Sequence, residues 1–432
     1  MKKAASFALG CKVNQYESEA IAELFQEKGY EIVGIDEEAD VYVINTCTVT
    51  NFGDKKSRQL IRKVKRQNEN AIVAVVGCYA QTAPQELMKV EGVNLVIGTK
   101  DRAQIVEMVE SYDTSKGVEN HVSDIMKERV FEPLSIQKLA NRTRAYLKIQ
   151  DGCSQYCSYC IIPYARGPIR SREPEEVLAE VKRLADNGFK EVVLTGIHVA
   201  SYGKDRRDTS LLEILKQVHE VEGIERIRFS SIEPNVVTEE FAQAMAELPK
   251  VCDHFHLSLQ SGCDKTLKEM NRKYDTEKYR QAAATLRKYL PEVALTTDII
   301  VGFPGETEED FQASYDFAKE IGFAKIHVFP YSPKRGTPAA ARKDQLLNAV
   351  KSERSHKLIE LSDKMADDFL QAYVGKDVEV LYERAVEDGV YEGHTTNYIK
   401  VRGRSEKDLT NQICKTKILK AEKEELFGEV DA

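Results

Sequence analysis

Six short β-like runs, separated by helical stretches, recur at roughly 30- to 45-residue intervals through the middle of the chain: 145–149, 191–194, 226–229, 255–259, 295–301 and 325–329. Parallel strands need long crossovers, usually helical, so this spacing predicts consecutive parallel βα units. The clearest crossover helix is 307–321. Its first turn is acidic, and Phe311, Tyr315, Ala318 and Ile321 recur on one face. Six units are two short of a complete eight-unit barrel, so a partial, open barrel is expected over 142–373.

The flanking segments read differently. Up to about residue 110, β-rich runs at 6–9, 41–45, 72–76 and 94–97 alternate with helical stretches. One of these carries Ile21, Leu24, Phe25 and Lys28 at helix-face spacing, with Gly29 as its stop. A doubly wound parallel α/β unit is expected over 1–110. A polar stretch of weak periodicity, 111–141, reads as a linker. Beyond residue 374, short alternating runs at 378–380 and 398–401 are punctuated by Gly389, Gly393 and Gly403. They predict a small antiparallel β-barrel over 374–432, a type that often binds oligonucleotides. The fold class is α/β with this β-barrel appended.

Composition narrows the function. Hydrophobic residues make up 42% of the 432 and charged residues 31%, a mix that builds cores rather than a disordered chain. Acidic residues number 70 against 62 basic, so contact with nucleic acid must come from a local patch. The longest apolar run, 71–78, is too short to span a membrane. After Met1-Lys2-Lys3, the segment 4–9 is too short for a signal sequence. A cytoplasmic protein is expected, and its nine cysteines become candidates for metal or catalytic roles rather than disulfides.

Cys153, Cys157 and Cys160 form a C-x3-C-x2-C run directly after the first barrel strand, where barrel enzymes keep their active sites. Three thiolates on a compact loop suit a 4Fe-4S cluster and leave one iron open to another ligand. The alternatives are free core cysteines or a structural zinc site, which normally takes four ligands with paired C-x2-C spacing. A second triad is dispersed: Cys11, Cys47 and Cys78 each follow a predicted parallel strand. In open α/β sheets the ligand crevice lies beyond the carboxyl ends of the strands, so these three converge. Gly10, Thr46 and Gly77 precede them and leave backbone room; ordinary buried cysteines are the alternative. Cys252, Cys263 and Cys414 form no triad and receive no metal role.

At the contiguous run the chain resembles the radical S-adenosylmethionine (SAM) superfamily. The resemblance implies that SAM chelates the open iron and that one-electron cleavage yields a 5′-deoxyadenosyl radical able to remove hydrogen from an inert C–H bond. It also places Tyr159 near the adenine of SAM. With both triads considered, the whole chain resembles a methylthiotransferase: an amino-terminal cluster domain, a radical SAM barrel and a carboxyl-terminal TRAM-type RNA-binding barrel. Gly10-Cys11-Lys12-Val13-Asn14-Gln15-Tyr16-Glu17 and Asn45-Thr46-Cys47-Thr48-Val49-Thr50-Asn51 are similar to the branch acting on threonylcarbamoyladenosine in tRNA. The resemblance implies two 4Fe-4S clusters, with SAM as both methyl donor and radical source. A tRNA substrate and an electron donor such as a flavodoxin or ferredoxin are expected, and the enzyme is expected to be a monomer. Rival readings are action on isopentenyladenosine, action on an aspartate of a ribosomal protein, or a non-catalytic metal-stabilised RNA-binding protein.

Loops after the later strands are expected to complete the SAM pocket through Gly196, Ser230, Glu233, Gln260 and Asp298. The superfamily's common Gly-Gly-Glu motif stands here as Thr195-Gly196-Ile197, without its acidic residue. Glu233 or Asp298 is a candidate replacement, although strand-end carboxylates also serve as helix caps. His254 and His256 share one strand face, either as substrate contacts or as satisfied polar positions. For RNA, seven of the twelve residues in 55–66 are basic and none is acidic: Lys55, Lys56, Arg58, Arg62, Lys63, Lys65 and Arg66. Such a helix provides a phosphate-binding footprint, or simply a solvated face.

Overall fold

The computed structural model describes residues 1–136 and 143–430. Its first unit is a parallel sheet of β1 (Lys3–Ala8), β2 (Glu31–Ile32), β3 (Val41–Thr46), β4 (Ile72–Gly77), β5 (Leu95–Val96) and β6 (Glu119–Asn120), in the order β2-β1-β3-β4-β5-β6. Every residue of β3 is buried, as a strand covered on both faces requires. Ile21 and Phe25 of α1 (Lys12–Glu27) pack with Val41 and Val43 on one face. Ile61 and Val64 of α2 (Asn51–Gln67) pack with Tyr42 and Ile44 on the other. This is the doubly wound arrangement expected.

The details differ at the edges. The first strand starts earlier than expected and that at 94–97 is shorter. The two-residue strands β2 and β6 carry no apolar run that periodicity could detect. The segment expected as a linker contributes β6 to the sheet, and its Leu134 and Ile136 pack against Tyr16 and Ala20 of α1. Its last residues, 137–141, lie outside the described residues.

The second unit comprises β7 (Arg144–Asp151), β8 (Arg170–Ser171), β9 (Glu191–Gly196), β10 (Arg226–Phe229), β11 (His254–His256), β12 (Ala294–Val301) and β13 (Lys325–Pro330). Parallel strands β7, β9 and β10 form one ladder; β11, β12 and β13 form another. Single bridges Ile227–Val251 and Ile232–Leu257 connect them. The run expected at 255–259 forms a regular strand only at its start; beyond His256 it is held by single contacts, the Leu257 N–H donating to the Thr296 carbonyl at 2.9 Å and the Ser258 N–H to that of Ile232 at 2.9 Å. Among the described residues β13 pairs with β12 alone, while the antiparallel β8 covers the β7 edge, so the barrel stays open. A helix at Asn348–Gln371 lies along β13, with the Ser362 hydroxyl accepting from the Ile326 N–H at 3.0 Å.

Alternation along β7 sorts its side chains. Ala145, Leu147 and Ile149 join the core with Val177 and Val181 of the helix Pro174–Asp186. Arg144, Tyr146, Lys148 and Gln150 lie on the opposite, inner face. β7 therefore turns polar side chains toward the barrel interior.

The third unit is a closed barrel in the order β14-β15-β16-β18-β17, built from β14 (Asp377–Glu387), β15 (Val390–Thr395), β16 (Lys400–Arg404), β17 (Gln412–Glu422) and β18 (Glu425–Val430). The β16–β18 pair is parallel, whereas the expectation was wholly antiparallel. Five strands cannot alternate in direction around a closed ring, so one parallel pair is unavoidable. This unit docks on the amino-terminal ends of the central strands. Arg226 donates to the His394 carbonyl at 2.8 Å, Arg228 to that of Thr396 at 2.9 Å, and Arg144 pairs with Glu383 at 2.7 Å.

Candidate active site

The contiguous triad occupies the loop after β7. Gly152 opens that loop at φ +71, and a Cβ there would lie 1.8 Å from the Pro168 carbonyl oxygen, so only glycine fits. The loop is pinned from outside: the Ser158 N–H donates to the Met270 carbonyl at 3.0 Å, and the Ala339 N–H to that of Ser158 at 2.8 Å. Cys157 is buried, and Arg272 donates to its sulfur at 3.2 Å. Burial pushes the Cys153 thiol up to about 11 and that of Cys160 to about 12. Thiolate ligation here therefore depends on a compensating cation.

Cys11, Cys47 and Cys78 follow β1, β3 and β4, which are neighbours in the sheet and paired up to Ala8–Asn45 and Thr46–Gly77. Topology thus brings the dispersed cysteines to one sheet edge. Gly10, at φ +99, allows close passage: a Cβ there would lie 2.7 Å from the Cys47 sulfur. Burial raises the Cys47 thiol and pushes Cys78 to about 12, although Arg166 opposes the latter by donating to its sulfur at 3.1 Å. Among the described residues no three His, Cys, Asp or Glu side chains are gathered around a single-ion position. A cubane makes a different demand, since each thiolate binds its own iron, and both triads offer free thiols.

A buried charge network joins the two places. Glu17, fully buried, pairs with Arg102 at 2.6 Å and Lys148 at 2.7 Å, and accepts from Arg166 at 3.0 Å. Lys148 also pairs with Asp151 at 2.6 Å, two residues before Cys153. Arg166 lies six residues after Cys160, on the short helix Ile162–Arg166, and reaches Asn14 at 2.6 Å as well as Cys78. Although burial works against its charge, Arg102, Arg166 and Lys148 hold the Glu17 carboxyl well below the usual range.

A cavity of about 990 Å³ runs from Cys11 and the ends of the central strands to the third unit. Gly196, Ser230 and Asp298 line it, together with Gly10, Cys11 and Lys12. Glu233 lies beside the cysteine loop, bonded to Arg272 at 2.8 Å, His198 at 3.2 Å and Gln155 at 3.4 Å. Burial opposes its ionisation, but His198 and Arg272 outweigh burial and keep it below the ordinary carboxylate range. Gln260, at φ +72, uses its backbone to bridge to β12. Tyr159 packs against Met270, Phe303, Tyr331 and Ala339. His254 and His256 share the Thr296 hydroxyl, each at 3.1 Å, and His256 also faces Asp298 at 3.3 Å. At the far end Tyr398 is stacked between His254 and His394, with Arg228 4.6 Å from its ring centre.

The basic helix is less uniform than its sequence. Lys55, Lys56, Arg62, Lys63 and Arg66 are exposed, but Lys63 pairs with Asp36. Arg58 turns inward to the Tyr79 hydroxyl at 2.6 Å, and Lys65 donates to the Ala71 carbonyl at 2.9 Å. Sequence reasoning missed Arg166, Arg272 and Tyr398. None carries a local motif, and only the fold brings them to the cysteines or the cavity.

Comparison with known proteins completes the assignment. The Radical SAM superfamily matches residues 147–318, and a family described as uncharacterized, UPF0004, matches 3–98. The chain is 48% identical over 98% of its length, and 94% of the relative's, to threonylcarbamoyladenosine tRNA methylthiotransferase MtaB of Bacillus subtilis. It is 37% identical over 97% of its length, and 95% of the relative's, to a tRNA-2-methylthio-N(6)-dimethylallyladenosine synthase of Clostridium botulinum. Among solved structures, the radical SAM methyltransferase TsrM of Kitasatospora setae shares the fold, with a TM-score of 0.56 and 16% identity over 90% of this chain and 79% of that one. The chain belongs to the MtaB-like radical SAM tRNA methylthiotransferases.

Proposed function

We propose that the protein adds a methylthio group to C2 of the adenine in threonylcarbamoyladenosine beside the tRNA anticodon. In this reading each triad holds a 4Fe-4S cluster, and SAM serves as methyl donor and radical source. The observation that carries the substrate is the 48% identity, across nearly the whole chain, to a relative bearing that name. When bound, the barrel cluster and SAM supply one-electron chemistry, which suits an aromatic C–H that offers a general base no easy proton.

The chain's own residues do the rest. Cys153, Cys157 and Cys160 hold one cluster, with Arg272 donating to Cys157; Cys11, Cys47 and Cys78 hold the other, with Arg166 donating to Cys78. Glu233 is the carboxylate beside the cysteine loop and takes the SAM ammonium in place of the absent motif glutamate. Gly196, Ser230, Gln260, Asp298 and Tyr159 complete that pocket, and Tyr398 excludes water from the far end. The exposed basic residues of α2 and the third unit's TRAM-type barrel grip the RNA. A flavodoxin or ferredoxin delivers the electron to a monomeric enzyme in the cytoplasm, with units dividing near 142 and 374.

Nucleoside mass spectrometry of tRNA from a deletion strain tests this. The methylthio form of threonylcarbamoyladenosine should disappear while its precursor accumulates. Loss of methylthio-dimethylallyladenosine instead would overturn the reading in favour of the activity named for the Clostridium relative.

A further inference from the structure

Charges along the cavity are nearly all matched. Lys325 pairs with Asp363 and Glu424, Lys400 with Glu392 and Glu425, and Asp298 with His256. Lys12 differs. It stands beside Cys11 with its ammonium 5.7 Å from the Tyr146 ring centre, and no salt bridge joins it to a carboxylate among the described residues. The charged groups around it are Arg144, Arg228 and Glu191, and Glu191 is already held by Arg144 at 2.7 Å and Arg228 at 2.9 Å. The amino terminus of α1 adds the positive end of a helix dipole, and its Cys11 N-cap gives no side-chain bond to the backbone N–H groups of the first turn. A partly buried cation without a counter-ion is costly unless an anion joins it.

We propose that Lys12 receives the carboxylate of the N6-threonylcarbamoyl group, which makes it the residue that separates a carboxylate-bearing adenosine from one carrying a neutral alkenyl group. This rests on the function proposed above. Gly10, Cys11, Gly196 and Ser230 line the same cavity, so a carboxylate seated on Lys12 holds the modified adenosine in the cavity beside Cys11. SAM also carries a carboxylate, and binding measurements separate the two sources.

The test uses anaerobic holoenzyme and three anticodon stem-loops, carrying threonylcarbamoyladenosine, its methyl ester, or unmodified adenosine. Wild type should prefer the free acid over both others by about tenfold, the scale of one charge-assisted hydrogen bond. Lys12→Gln should bind all three alike, and Lys12→Arg should keep the preference, with iron content unchanged in both. Three results would overturn the assignment: a preference retained by Lys12→Gln, equal weakening of SAM and every stem-loop, or loss of iron in Lys12→Gln. The second would assign Lys12 to SAM and the third to the amino-terminal cluster. If wild type methylthiolates threonylcarbamoyladenosine but Lys12→Gln keeps the preference, this inference fails alone; if wild type does not, the proposed function fails.

Discussion

Glu17→Gln keeps the shape of the side chain and removes the carboxylate on which three buried cations converge. Before the change, Arg102, Lys148, Arg166 and Arg170 face Glu17, Asp151 and Glu132; afterwards four cations face two carboxylates. Removing one partner of a buried pair costs about 3–5 kcal/mol, because the remaining charges stay buried. A folded chain has only about 5–15 kcal/mol in total, so the substitution should remove a large fraction of stability. It should also loosen the contact between the first unit, which holds Glu17 and Arg102, and the second, which holds Lys148 and Arg166. Urea titration of anaerobic holoprotein, followed by circular dichroism and by the visible absorption of the clusters, measures both effects. Combining Glu17→Gln with Arg166→Met should cost less than the sum of the separate losses by about 1 kcal/mol or more, as coupled neighbours do. A Glu17→Gln protein within about 0.5 kcal/mol of wild type, the range of an ordinary surface change, would refute the argument.

Three further outcomes are expected. Cys78→Ser should leave reductive SAM cleavage measurable while abolishing methylthio product, whereas Cys157→Ser should abolish both; product from Cys78→Ser would remove the dispersed triad from its role. Replacing the exposed Lys55, Lys56, Arg62 and Arg66 by Ala should flatten the salt dependence of tRNA binding by roughly one unit of log–log slope per lost phosphate contact, and an unchanged slope would mark α2 as merely solvated. Burial raises the Glu191 carboxyl, but Arg228 and Arg144 more than offset it and hold it at about 2. Since that lies below the unfolded value of about 4.3, its stabilisation is complete above that value and is lost as pH falls toward 2, by roughly 3 kcal/mol in all. Unfolding midpoints measured from pH 5 to 2 should therefore fall less steeply for Glu191→Gln, and superimposable acid limbs would contradict this.

Much of this molecule is legible in one dimension because its chemistry sits at strand ends. A buried parallel strand announces itself as an apolar run, and the residue after it belongs to the ligand crevice, so Cys47 and Cys78 can be placed from sequence alone. The supporting groups cannot. Arg272 reaches Cys157 across 115 residues, and Arg166 reaches Cys78 across 88; no period or spacing encodes either meeting. Lys12 sits within a motif, yet its lack of a counter-ion among the described residues depends on where every neighbouring carboxylate folds. The basic helix shows the converse: seven positive charges read as one patch, but folding turns Arg58 toward Tyr79 and commits Lys65 to a backbone carbonyl.

Tyr398 changes how the carboxyl-terminal unit should be understood. Its backbone holds the left-handed conformation at φ +70, and its ring stands at the end of the cavity under Arg144 and Arg228. The small barrel is thus a stopper as well as the grip on RNA proposed for it, and one aromatic ring makes the difference. Deleting the unit would unplug the barrel at the end away from the cysteines and admit solvent behind the substrate. A truncated enzyme that consumes SAM without modifying tRNA would then be a leaking vessel, a defect distinct from failure to capture RNA. Tyr398→Ala in the full chain isolates that leak, because the strands of the small barrel remain in place.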